Sequence, residues 1–550
     1  MGPQSSDELL GWAQSYAGKL ASLSCGSQLK ENLCRGLLLS TDFSGLDAPR
    51  ECLRCMLPAL SEAFQTSFPE VVVARSCDVG KPQRDCLMLQ SEMFHDGASC
   101  VFTDILGRLG SSEREWLEAA GPLKNMDVNE ARAANQNVEQ FLSSNRGRIF
   151  SASQKSYCCQ HNQNCPVHAL PALRERRRLA KEAADPLSEA PAVCSPSPVK
   201  KRRQSTIVTP WWQKHVTEDP SDPEPITCSV AGLLCTDFSP LGKKRGLKGT
   251  GVTEPLHAIW KNERQWLAEQ GLEDMFFTEN SAHYPVQDRQ VDAMQSSHDV
   301  KFVTVSPCEL GDAYIFATDD EIHNFVQNRA QRRNSVLPVG FKEMPMRQYL
   351  HQLLPPGAML RLAKYDSVRP ERAGITGSFF AHLDHNVDCG PRCGPLIPSL
   401  DTHANIFCWT HDRLLLPQEL LQAQGITMCP SGTGESRSPL AEVLMKFNDT
   451  ELRLFAGNSL HVPTFAAWMM YALAHVAPIP HLQLTPQLEA LYDQLDAEGE
   501  HDETLQPVPD RIDAPAIQSD APAIQSPAFA EMQDENSGNS AIRRRPRLLL

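Results

Sequence analysis

The residues with most to offer chemically lie in 226–246, ITCSVAGLLCTDFSPLGKKRG. An apolar run ends at a single cysteine, Cys235, and a glycine- and lysine-rich loop follows at once. A thiol must ionise to become a nucleophile, and nearby cations lower its pKa. Lys243, Lys244 and Arg245 are the candidate cations. The plainer reading is a buried cysteine at a strand end beside a solvated basic run. Three further groups could serve a ligand. FSGLD (43–47) is a tight turn whose Phe43, Ser44 and Gly45 let a backbone approach closely. Asp78 closes VVVARSCD and Asp104 closes ASCVFTD, so two acids stand at strand ends and can accept hydrogen bonds from ribose hydroxyls or an amino group. MFFTEN (275–280) ends in a carboxyl and an amide, Glu279 and Asn280.

Metal ligands form two further clusters. CCQHNQNCPVH offers Cys158, Cys159, His161, Cys165 and His168 within eleven residues. Thiols and imidazoles so closely spaced can close a zinc site, although a flexible Cys/His-rich loop has the same composition. HLDHNVDCGPRC offers His382, His385, Cys389 and Cys393 in the same way.

The elements that must position these groups read as strands alternating with helices. Residues 6–22 carry an apolar helical stripe (Leu9, Leu10, Trp12, Tyr16, Leu20), and 37–39 lead as a strand into the FSGLD turn and a helix opening at Pro49. Strands follow at 71–78, 98–104, 226–235 and 275–280, with a helix over 254–270 between the last two. KFVTV and YIFAT read as a hairpin-like pair. Such alternation predicts an α/β fold, a doubly wound Rossmann-like sheet that binds ligands outside its strand C-termini. Residues 107–225 read as an insertion, partly disordered, in which 111–123 and 129–145 are helical and the Pro/Ser-rich, basic end is not. Residues 320–400 read as a small second lobe, and 479–550, with DAPAIQS repeated in tandem, as a disordered tail.

With 550 residues the chain can bury a large core. Its net charge of −15 excludes a generally basic nucleic-acid binder, but RERRRLAK, KKRR, KKRGLK and RRRPR leave room for a local basic face. The 18 cysteines have no framework spacing, no secretory signal opens the chain, and no apolar run reaches the roughly 20 residues of a membrane span. These features predict free thiols in a reducing compartment.

Taken in order, the segments resemble the cytosine-5 methyltransferases that use S-adenosylmethionine. TDFSGLDAPRECL resembles the family's cofactor loop, SCD and FTD its next two strand-end motifs, and AGLLCTDFSPLGKKRG its catalytic segment. FFTENSAHYP resembles the Glu-Asn motif, DRLLLPQELLQAQGI the segment after target recognition, and LFAGNSLHVPTFAAW the closing Gly-Asn-Ser motif. The resemblance covers about 36–104, 226–318 and 400–476. It implies a methyltransferase domain in two halves, 36–106 and 226–319, completed by 401–478, with 320–400 as a target-recognition lobe and 1–35 as an N-terminal helix.

The resemblance also implies roles. Phe43, Ser44 and Gly45 would pass close to S-adenosylmethionine, Asp78 would bind its ribose and Asp104 its adenine, with Asn458 and Ser459 completing the pocket. Cys235 would be the nucleophile, Glu279 would hold the target base and Asn280 its loop or ribose-phosphate, while Lys243, Lys244, Arg245 and Lys248 would contact phosphates. The implied partner is DNA, with RNA as the alternative, and the implied location is the nucleus. The sequence departs from the family at Leu234, where proline is usual, at Asp47, where a second glycine is usual, and at Ser281. SPCELGDAYIFAT runs through the place of an arginine-bearing segment, with Arg332 and Arg333 the nearest arginine pair in sequence. A relative that binds cofactor or nucleic acid without turnover is therefore the third reading.

Overall fold

A computed structural model describes residues 11–94, 98, 100–122, 126–168, 224–233, 251, 253–280, 284–303, 317–372, 379–385, 387, 393–394, 397–428 and 437–476. Two short helices open it, α1 (Trp12–Ser22) and α2 (Gly26–Cys34). The chain then alternates: β1 (Leu37–Asp42), α3 (Ala48–Phe64), β2 (Val72–Cys77), α4 (Lys81–Met93) and β3 (Val101–Phe102). Two helices, α5 (Ser111–Ala120) and α6 (Val128–Ser144), lead to a hairpin of β4 (Lys155–Cys158) and β5 (Gln163–Pro166). The alternation resumes with β6 (Ile226–Gly232), α7 (Glu254–Glu269) and β7 (Met275–Glu279).

These strands form one mixed sheet in the order β5-β4-β3-β2-β1-β6-β7. The five strands from β3 to β7 run parallel, and the β4–β5 hairpin adds to the β3 edge antiparallel. The class is thus the predicted α/β. β1 is the pivot, because β2 and β3 lie to one side of it and β6 and β7 to the other. A strand order that reverses at β1 opens a crevice at the carboxyl ends of β1 and β6. The composition of β1, β2 and β6 follows from their burial on both faces: LLLSTD, VVARSC and ITCSVAG contain almost no exposed position.

The structure differs from the sequence reading at the insertion. Residues 155–166 are not set apart from the sheet domain; they extend its sheet. Residues 301–303 form no strand, and the rest of KFVTV and all but the end of YIFAT lie outside the described residues, as does the predicted tail from 479.

A second sheet, order β11-β10-β8-β9, is built from β8 (Phe380–His382), β9 (Cys393–Gly394), β10 (Ile406–Cys408) and β11 (Arg413–Leu414), all antiparallel. The second lobe therefore runs past residue 400 to 414. Helices α8 (Asp319–Arg332) and α9 (Pro356–Arg372) precede it. Phe379, Ala381, Phe407, Trp409 and Leu414 share a core with Phe325, Leu353 and Tyr365, whereas Phe380, Ile406, Cys408 and Leu415 belong to the core of the main sheet. Alternate residues of one strand thus serve two cores, as a period of two requires.

Four helices close the described residues: α10 (Pro417–Gln422), α11 (Pro439–Leu444), α12 (Asp449–Asn458) and α13 (Val462–His475). α13 is apolar almost throughout and packs into the same core as α1, α2 and α3. The Asn32 side-chain amide donates to the Leu473 and Val476 carbonyls at 2.6 and 2.8 Å, capping α13 from the opposite end of the sequence.

Candidate functional site

Of the predicted residues, Phe43, Ser44, Gly45, Asp78, Asp104, Glu279 and Asn280 stand at the carboxyl ends of the strands. β1 ends at Asp42, and the next five residues curl sharply. Phe43, Gly45 and Asp47 all take left-handed backbone angles, with φ of 52°, 54° and 59°. A bulky residue rarely adopts that region, so Phe43 holds strain at the crevice. Asp47 is stabilised there: its Oδ2 accepts from Ser76 Oγ at 2.9 Å and faces Arg50 Nε at 3.8 Å. The Ser44 side chain accepts from the Cys77 amide at 3.0 Å, tying the turn to β2.

Gly45 is where three distant segments meet. Its amide donates to Asp78 Oδ2 at 2.9 Å, and a β-carbon there would stand 3.1 Å from the Asn458 carbonyl oxygen. Asp78 Oδ1 accepts from the Gly80 amide at 2.8 Å. Burial pushes the Asp78 carboxyl up from its ordinary value, and the Gly80 and Gly45 amides oppose that rise. At the end of β3, Asp104 Oδ1 accepts from the Leu106 amide at 3.0 Å. Ser459 follows Asn458, and its hydroxyl donates to the Leu460 carbonyl at 2.9 Å.

Across the crevice, β6 and β7 are in register so that Gly232 lies opposite Glu279. Asn280 Nδ2 donates to the Leu233 carbonyl at 3.3 Å, pinning the end of β6 to the end of β7. Glu279 is exposed to solvent at its open side, yet protein surrounds it closely elsewhere, and the resulting desolvation raises its carboxyl pKa. Cys235, Lys243, Lys244, Arg245 and Lys248 lie outside the described residues. The Arg332 guanidinium binds Asp449 at 2.5 Å and Thr450 at 3.2 Å, at the start of α12.

Beneath this edge lies a buried ionic cluster that sequence reasoning missed. Asp42 accepts from Arg108 at 2.6 Å and from Arg75 at 3.3 Å. Glu263, on α7, contacts Arg75 and Arg108 at 3.1 Å each and Arg264 at 2.8 Å. Arg264 reaches Glu273 at 3.0 Å, and Glu273 also accepts from Ser229 at 2.5 Å. All six charged residues are at least nine-tenths buried. Asp42 and Glu263 are held below their ordinary carboxyl values because the surrounding guanidinium groups outweigh the opposing effect of burial. Burial pushes Glu273 up to about 7. One sequence signal was available: Glu263 falls three residues after Trp260 and four before Leu267, on the apolar stripe of its helix.

The first Cys/His cluster is assembled differently from its prediction. His161 Nδ1 lies 3.3 Å from Cys165 Sγ, 3.5 Å from Cys158 Sγ and 3.7 Å from Cys100 Sγ. All four ligand atoms lie within 4.8 Å of one another. Cys100, at the start of β3, is the missed member, since nothing in its spacing ties it to a motif 58 residues on. Cys159 is not a member; its thiol pairs with Arg84. Nor is His168, which is buried 3.9 Å from Glu263 and whose pKa burial lowers to about 3. In the second cluster, Asp401 joins His382 and His385, with Oδ2 at 3.3 and 2.8 Å from their Nε2 atoms. Cys393 lies outside that group and Cys389 outside the described residues.

No protein-family model matches the chain, and no curated protein matches it. No described helix is long and apolar enough to cross a membrane.

Proposed function

We propose that the chain transfers a methyl group from S-adenosylmethionine to carbon 5 of cytosine in DNA. The observation that carries this reading is the register of β6 against β7. The strand that runs on to Cys235 ends beside a carboxyl with a raised pKa, on the edge where the sheet order reverses.

The donor set on the other side of the crevice fits a nucleoside-bearing cofactor. Each Asp78 oxygen accepts one backbone amide, leaving each a further lone pair for one hydroxyl of a vicinal diol. Asp104 has one oxygen bonded to Leu106, leaving the other to accept from an amino group. The cofactor, when bound, supplies an electrophilic methyl group.

The chain's own residues would prepare the base to receive it. The Cys235 thiolate adds to carbon 6, forming a carbon–sulfur bond and moving electron density to carbon 5, which is otherwise a poor nucleophile. Glu279, whose carboxyl pKa is raised by desolvation, would donate a proton to ring nitrogen 3, or share one with it, and offset the charge that builds there. Once carbon 5 carries the methyl group, its proton would pass to solvent water, the electron pair would re-form the 5,6 double bond and expel the Cys235 thiolate, and ring nitrogen 3 would return its proton to Glu279. A stacked base cannot reach such a crevice, so the target must be flipped out of the duplex. Lys243, Lys244, Arg245 and Lys248 would supply phosphate contacts. The basic runs KKRR and RRRPR, together with a DNA substrate, would suit nuclear residence.

The test is a mechanism-based trap. An oligonucleotide bearing 5-fluorocytosine should form a covalent adduct with the protein in the presence of cofactor, and Cys235→Ala should abolish it. Glu279→Gln should slow methyl transfer by about 10²–10⁴-fold. An adduct that survives Cys235→Ala removes the nucleophile assignment, and transfer confined to RNA changes the substrate. A second reading, binding without turnover, draws on Arg332 being engaged by Asp449. Cofactor binding without adduct or methyl transfer on either nucleic acid would favour it.

A further inference from the structure

The β4–β5 hairpin is a poor candidate for stability by itself. Each strand has four residues, a single register pair, Phe102 with Cys158, joins it to β3, and Tyr157 on it is exposed. Yet its inward face is buried: Cys158 and Cys165 pack with Cys77, Cys100, Phe102 and Val167. Three thiols and an imidazole converge at that point, and a single hydrogen bond at the imidazole nitrogen does not explain their approach to it. Nδ1 of His161 has at most one lone pair or one proton to offer, yet it lies 3.3, 3.5 and 3.7 Å from three different sulfurs. Near-equal spacing from one nitrogen to three sulfurs marks a shared centre.

Zinc bond lengths of about 2.3 Å to sulfur and 2.0–2.1 Å to nitrogen, at tetrahedral angles, give nitrogen–sulfur edges of about 3.6 Å and sulfur–sulfur edges of about 3.8 Å. The observed nitrogen–sulfur distances bracket the first value, and the whole set lies within 4.8 Å. Three thiolates and one imidazole are a soft donor set suited to Zn²⁺ and unsuited to Mg²⁺ or Ca²⁺. With all four positions filled by protein, the site is of the structural kind.

We infer that Cys100, Cys158, His161 and Cys165 bind one structural zinc ion that clasps the β4–β5 hairpin onto β3. The clasp joins the segment just before β3 to the hairpin, and the Cys159 amide reinforces it by donating to the Val101 carbonyl at 2.8 Å. Asp104 follows β3 by two residues, so the metal would also hold the strand end that enters the crevice. The inference rests on the ligand geometry and stands whether or not the chain is a methyltransferase.

Metal content of the full chain, purified after expression in zinc-supplemented medium, tests it. We expect about one zinc per chain, and after exchange to Co²⁺ the visible absorption of tetrahedral thiolate-bound cobalt. Cys159→Ser and His168→Gln should keep the metal. Cys100→Ser and His161→Ala should lower zinc content at least about tenfold. Because Cys100→Ser alters a buried position and could fail to fold, His161→Cys is the companion: it should keep one metal and shift the cobalt spectrum toward that of a four-thiolate site. Wild-type protein with less than a tenth of an equivalent of zinc overturns the inference. So does a mass two hydrogens short in place of metal, which would identify a disulfide within the cluster. Metal that depends on Cys159 but not on Cys100 would also overturn it.

Discussion

Replacing Asp42 by asparagine tests whether the ionic cluster supports the crevice. Asp42 is 1% exposed and ends the central strand, immediately before the strained Phe43. It is one of three carboxyls facing three guanidinium groups, and His168 nearby is neutral at pH 7 because burial lowers its pKa to about 3. Asparagine preserves shape and one acceptor oxygen but removes a charge, leaving Arg108 and Arg75 undercompensated. Removing one partner of a buried ion pair costs about 3–5 kcal/mol, and the retained acceptor places this change near 3. That is about a 10²-fold change in the folding equilibrium, within a total stability on the order of 5–15 kcal/mol. Urea unfolding of wild type and Asp42→Asn, followed by tryptophan fluorescence and circular dichroism, measures it. Arg108→Met should cost a similar amount alone and much less in the Asp42→Asn background, giving a coupling of at least about 1.5 kcal/mol. A loss below about 1 kcal/mol, or additive single and double variants, would refute the argument that these charges are buried and mutually compensating.

Glu273 should respond to pH in the opposite sense. With its folded pKa near 7 and an ordinary value of 4.5, the native state keeps a proton that the unfolded chain has released. Stability from this group is full below about pH 4.5 and is lost as pH rises to 7, by about 3 kcal/mol across the window. Glu273→Gln should therefore gain on wild type by about that amount between pH 4.5 and 8 in denaturation experiments, and a constant difference would disprove the assignment. Gly45→Ala places a side chain at φ 54° and 3.1 Å from the Asn458 carbonyl. It should cost about 1–2 kcal/mol of stability and, by moving the amide that holds Asp78, weaken S-adenosylmethionine binding at least about tenfold in calorimetry. Unchanged affinity would separate Asp78 from cofactor binding.

Much of the central sheet was legible because buried parallel strands have a strong signature. LLLSTD, VVARSC and ITCSVAG are short apolar runs bounded by turn residues, and the helix over 254–269 has a clear stripe. The hairpin was less legible: KSYC and QNCP are polar on their outer face and match no strand pattern of useful length. Residues that meet only in three dimensions left the weakest trace. Cys158, His161 and Cys165 stood out by proximity, but Cys100 and Asp401 join their clusters from distant segments, and local spacing offers no rule for them. His168 and Cys159 satisfied the same composition rule, yet β-strand alternation turns Cys158 inward and the following residue away.

The second sheet bears on how the crevice can move. β10 gives Phe407 to one core and Ile406 and Cys408 to the other, so the lobe and the body share a single wall one strand thick. Gly457 tightens this seam, since a β-carbon there would fall 2.2 Å from the Asp401 backbone carbon. A rigid rotation of the lobe would strip apolar side chains from both cores at once, at about 25 cal/mol for each Å² exposed. Lobe and body are thus coupled through one shared strand, and turning either against the other would disturb both cores together.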